Sequence, residues 1–256
     1  MNKNKMKINN DKTHLIVMTS SQTRARSQSA NLVEIKTPLR TIKAQNSEKL
    51  LGCRIQDDIK WNQYLRDDEE SLMKNLSQKL SALQLLSKLA NFKTRKMLAN
   101  GVFMSRLSYM MIVWGSCKKE LMDGLQVLQN RAARVVTRND WNLSTKQNLR
   151  QLGWLSVHQL LVYQSVVSIH KIRENSEPIA LHNMFNWETK QNTRQVSANT
   201  VRPIGVPRYE VANRSFRWRA SRWFNSLPKD IKLIRDIKTF KGEAKQWIMT
   251  NIEIKM

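Results

Sequence analysis

The stretch SFRWRASRWFNSLPKDI, residues 215–231, sets Arg217, Arg219 and Arg222 among the rings of Phe216, Trp218 and Trp223. Arginine beside tryptophan can serve two ends. The ring can stack on an unpaired base while guanidinium groups hold phosphates. Alternatively, the arginine stems cover an exposed ring by cation–π contact, with no ligand involved. On a helical wheel Ala212, Phe216, Ala220 and Trp223 share one face and are the expected core anchors. Arg214, Trp218 and Arg222 fall on the opposite face with Arg217 alongside. QNRAARVVTR, residues 129–138, places Arg131, Arg134 and Arg138 at steps of three and four. That edge suits phosphate tracking, and equally a plain solvated face.

Residues for covalent or metal chemistry are sparse. Asp57-Asp58 and the run DDEE at 67–70 are carboxylate clusters. Two-metal catalysis needs a third carboxylate placed to hold both ions, which neither cluster offers. The first is expected to be a turn and the second a helix start. His14, His158, His170 and His182 share no metal-ligand spacing and are expected at the surface or as caps. No CxxC occurs, and Cys53 and Cys117, far apart, fit a reducing compartment. No metal site and no cofactor are expected.

The elements that must carry these residues are basic and mostly helical. The chain has 256 residues, 44 Lys+Arg against 20 Asp+Glu, and a net charge of +24. Such a body attracts polyanions, with nucleic acid the first partner to consider and an acidic membrane surface the second. No apolar run approaches the roughly 18 residues of a spanning helix, so no membrane partner is expected. The polar start MNKNKMKINN lacks a signal-peptide core, which points to an intracellular protein, nuclear or cytoplasmic. Seven glycines and five prolines suit long helices.

Leu15–Met18 reads as a strand, residues 20–33 as a polar loop, and 49–55 (KLLGCRI) as a second strand with Gly52 inside it. From Asp67 the pattern is helical, with Leu72, Leu76, Leu80, Leu83 and Leu86 on one stripe. Further helices are expected over 94–114 and over 119–137, the latter with Leu121, Leu125, Leu128, Ala132 and Val135 inward. Ser156 is the expected N-cap of the next. Residues 174–208, with Pro178, Pro203 and Pro207, read as a linker. A final helix pair, 209–226 and 237–252, is split at Leu227-Pro228.

Taken in order, KINNDKT, KLLGCRIQDDIKWNQYL, RLSYMMIVWG, LQVLQNRAARVVT, LGWLSVHQLLVY, SFRWRASRWFNSLP and TFKGEAKQWI resemble one family. It is the C-terminal part of the non-LTR (LINE-type) retrotransposon reverse transcriptases, matched from about residue 7 to the end. The resemblance implies a mainly α fold with a small β remnant of the polymerase palm, then a helical thumb and a helical basic C-terminal extension. The implied segments are 1–58 (palm remnant), 59–116 (thumb-like), 117–173 (helical extension), 174–208 (linker-like) and 209–256 (basic helices). Asn9, Lys12 and Thr13 match the palm-closing motif, whose lysine lies near the incoming nucleotide. Leu51 and Gly52 match the primer grip.

The implied partners are RNA and DNA, as template–primer or element RNA. The intact family uses magnesium, held by palm carboxylates that would precede Met1. The chain by itself is therefore expected to bind nucleic acid without polymerising. A helical protein-interaction module, or a functionless remnant of a decayed element, are the alternatives.

Overall fold

The computed structural model describes residues 9, 12–18, 33–37, 40–138, 144–187, 201 and 210–252. It is mainly helical with small sheets and divides into two compact units, Met1–Ser71 and Leu72–Met256. The expected polar loop over 20–33 lies outside the described residues except for Val33.

In the first unit, β1 (Leu15–Ile16), β2 (Glu34–Lys36) and β3 (Thr41–Gln45) form a sheet of order β1-β3-β2. β1 runs parallel to β3, with Leu15 opposite Ala44, and β2 runs antiparallel, with Ile35 opposite Ile42. Residues 49–55 are not one strand. β4 (Ser47–Leu50) and β5 (Cys53–Gln56) form an antiparallel hairpin with Leu50 opposite Cys53. Leu51 (φ 50°) and Gly52 (φ 78°) make the two-residue turn between them. A turn with both central φ positive matches the strand twist, and glycine takes that conformation without penalty. Gly52 thus belongs to the turn, and a Cβ there would meet nothing within 4 Å. Of the sheet's apolar side chains, Ile42 and Cys53 are buried, whereas Ile35, Leu50 and Leu51 are exposed.

Asp57 and Asp58 form a turn, as expected. A single π-helical segment, Gln63–Asp67, follows, with Tyr64 and Leu65 buried. The acidic run precedes the next helix instead of opening it. Asp68 meets Arg54 at 2.6 Å and Glu70 meets Lys49 at 2.8 Å.

The second unit begins with α1 (Leu72–Ser87), which buries Leu72, Leu76, Leu80 and Leu83. Leu86 is exposed, and Ser87, one turn beyond Leu83, takes the inward place. The expected 94–114 helix is segmented. α2 (Phe92–Leu98) is capped by the Asn91 side chain. A π-helical stretch, Ala99–Met104, then leads into α3 (Ser105–Ser108). Met110, at φ 51°, breaks the run before α4 (Met111–Trp114). The π-helical stretch contains Asn100 and Gly101, both weak helix formers.

α5 (Lys119–Thr137) has the expected bounds and buries Leu121, Leu125, Leu128 and Ala132. Val136 continues that stripe, and Val135 is only half-buried. α6 (Thr145–Leu152) ends at Gly153, whose φ of 63° supplies the left-handed cap. α7 (Val157–Asn175) opens on a capping box of Ser156 and Gln159. It is buried nearly all round, since α5, α10 (Phe216–Ser226) and α12 (Ile237–Asn251) all pack on it. Three short helices, α8 (Ile179–His182), α9 (Glu210–Asn213) and α11 (Lys229–Leu233), complete the set. α11 was not legible in the sequence.

Val162, Val166, Ile169, Phe224, Phe240 and Ile248 form the centre of the C-terminal core. Phe185 and Val201, from the proline-bearing 174–208 stretch, are buried in it. His170 is no surface histidine: it is buried, stacked 3.9 Å from Phe240, with Nε2 2.7 Å from the Ile234 carbonyl.

Candidate nucleic-acid interface

α10 starts at Ser215, whose hydroxyl accepts from the Trp218 amide. The cap separates Ala212 from the helix. Ala220, Ser221 and Phe224 are buried, while Phe216 and Trp223 are only half-buried. Phe224 is the fully buried ring of this helix, and Phe216 and Trp223 pack against the same core from its edge. The helix carries two guanidinium–indole pairs at four-residue spacing, one on its outer face and one turned toward Gly115. Arg222 lies 5.4 Å from the Trp218 ring centroid, and Arg219 lies 5.5 Å from that of Trp223. Arg217 and Arg222 are exposed, and among the described residues neither makes an ion pair. The Arg222–Trp218 contact leaves the ring half-exposed, so packing and base stacking both use the same face.

The α5 arginines do not act as one set. Arg131 is exposed, Arg134 is half-buried, and Arg138 donates to the Ser87 carbonyl at the end of α1. Arg138 occupies the C-cap in the left-handed region (φ 55°), so it closes a helix junction as well as carrying charge.

Beside α10 a cleft of about 320 Å³ opens between the end of α4, the start of α5 and the start of α7. Arg214, Arg219 and Trp223 line it from one side, Lys119 and Asp123 from α5, and His158 from α7. Arg131, Arg134 and Arg138 do not. His158 stands edge-on to Trp223, with ring centroids 6.0 Å apart. Arg219 donates to the Gly115 carbonyl, and its Nε is buried without a hydrogen-bond partner. Burial holds this guanidinium down to about 10. Burial likewise pushes the neighbouring Cys117 thiol up to about 12, so it stays protonated and unreactive at neutral pH.

Two buried glutamines of α5 tie it to the start of α7, and one of them, Gln126, lines the cleft. The Val157 amide, one of the unpaired donors at the start of α7, donates to Gln126 Oε1 at 2.8 Å. Gln129 Nε2 donates to the Leu155 carbonyl at 2.8 Å. Neither glutamine was marked in the sequence, because a glutamine on an apolar helix stripe looks like a break in it. The Arg219–Trp223 pair was missed as a site, although its spacing repeats that of Trp218 and Arg222.

In the first unit, Lys12 is exposed, and its amide donates to the Asn9 carbonyl at 3.2 Å. The Thr13 hydroxyl also donates to that carbonyl, at 2.9 Å. Asp58 pairs with Lys60 at 2.9 Å and Asp67 with Arg66 at 2.9 Å. Among the described residues no group of three His, Cys, Asp or Glu could hold a metal ion, and no helix is long and apolar enough to cross a membrane. Comparison of the chain with protein-family models, curated proteins and solved structures finds no match.

Proposed function

We propose that this chain is a nucleic-acid-binding segment of reverse-transcriptase type, derived from the C-terminal part of a non-LTR retrotransposon polymerase. It binds RNA and DNA through backbone charge and ring stacking, in the nucleus or cytoplasm. The observation that carries this reading is the outer face of α10, where exposed Arg217 and Arg222 flank the half-exposed Trp218 without a neutralising ion pair. Such a face meets a single strand by stacking and by phosphate contact together. In this reading residues 1–58 are the palm remnant, with Leu51 and Gly52 at the primer-grip position and Lys12 in the palm-closing motif. Residues 59–116, which include α1 to α4, correspond to the thumb, and the helices from residue 117 on to the C-terminal extension.

Trp218→Ala tests the stacking part. Affinity for a labelled single-stranded oligonucleotide should weaken by about 1–3 kcal/mol. Unchanged affinity assigns Trp218 to packing alone. Primer extension with magnesium should yield no nucleotide incorporation by the purified chain, and incorporation would overturn that part of the proposal.

A second reading, a helical protein-interaction module, rests on Leu85, Leu86 and Leu89. They are 68%, 50% and 92% exposed at the end of α1 and just beyond it. A protein partner whose capture survives nuclease treatment favours it.

A further inference from the structure

The cleft beside α10 has a composition that the outer face does not share. Arg219 is largely withdrawn from water, yet among the described residues no carboxylate pairs with it, and its Nε has no acceptor. A desolvated cation without a counter-charge is costly, and an anion entering the cleft offsets that cost. Arg214 and Lys119 add two more cations to the lining, against the single carboxylate of Asp123. The wall also carries flat surfaces: the Trp223 indole and the guanidinium plane of Arg219 beside it, with His158 edge-on. Anion affinity and a flat apolar wall in one space of about 320 Å³ describe a ligand that is both charged and planar.

We infer that this cleft takes one unpaired nucleotide of a bound single strand, its base against Trp223 and Arg219 and its phosphate toward Arg214 and Lys119. The inference rests on the nucleic-acid-binding reading and deepens it by naming where strand type is distinguished. A paired base in a duplex cannot enter such a cleft without leaving its stack. The outer face of α10, in contrast, can meet either form through phosphates. Asp123 is the one group of the lining that repels phosphate, which leaves the base edge, with its amino donors, as the part suited to face it.

The test is equilibrium binding of the full chain to a labelled twelve-nucleotide single strand and to a blunt duplex of the same length. Wild type is compared with Trp223→Leu and Arg219→Gln, each verified as folded by thermal melting. Single-strand affinity should fall about 5- to 150-fold in Trp223→Leu, the range for losing one base stack, with duplex affinity within about twofold of wild type. Equal losses on both nucleic acids, or no loss on either, overturn the cleft assignment and leave the broader reading standing. Binding of neither nucleic acid by wild type overturns both. Should a variant fail to fold, photo-crosslinking of the wild-type chain to a 4-thiouridine oligonucleotide decides. Crosslinked peptides containing His158 or Trp223 support the assignment, and crosslinks confined to other segments overturn it.

Discussion

The His170 imidazole lies against Phe240 in the C-terminal core, and burial holds its pKa below the ordinary 6.5. Neutral in the fold and free to protonate once unfolded, it contributes stability that is complete above about pH 6.5 and lost as pH falls through that range. The melting temperature should therefore drop from about pH 6.5 downward, and His170→Gln should flatten that drop; parallel profiles for the two proteins contradict the assignment. The two large rings of α10 differ in the same terms. Phe224 is fully buried, so Phe224→Ala should cost about 3–5 kcal/mol in urea denaturation. Trp223→Ala should cost less, because part of that ring already faces the cleft. Equal losses would return Trp223 to the core.

Among the elements, Gly115 at the end of α4 packs against Leu161 of α7. A Cβ there would stand 2.5 Å from Leu161 Cδ1 and 2.6 Å from the Met111 carbonyl oxygen. The backbone carbonyl cannot yield as a side chain does, so Gly115→Ala should destabilise by about 1–3 kcal/mol. A neutral result by urea denaturation would mean that α4 shifts freely. Elements with strong local signals were legible in the sequence: α5 from its leucine stripe, α7 from the Ser156 N-cap, the Asp57-Asp58 turn from its composition. Where a single backbone angle decides, the pattern was silent. Positive φ at Leu51 turned an expected strand into a hairpin, and positive φ at Met110 cut an expected helix. The Ser215 cap detaches Ala212 from the inward face of α10, and within the helix the fully buried ring is Phe224, with Phe216 and Trp223 at the edge of the same core. Of the expected outward set, Trp218 and Arg222 share one surface at four-residue spacing, whereas Arg214 lines the cleft with Arg219 and Trp223.

For the molecule as a whole, a net charge of +24 dominates its encounters. Carboxylates meet cations at Arg54, Lys49 and Lys60 in the first unit and at Arg173 in the second, while among the described residues Arg217 and Arg222 of α10 make no ion pair. Binding by such a surface releases counterions from the nucleic acid, so its strength must fall as salt rises. A protein-interaction module acting through apolar leucines has no such dependence. The most direct measurement is the affinity of the full chain for a labelled single-stranded RNA across a series of salt concentrations. The account predicts a straight fall of log affinity with log salt, about 0.7 per phosphate contacted, and a shallower slope when Arg217 and Arg222 are both changed to glutamine. No binding at low salt, or an affinity indifferent to salt, would contradict it.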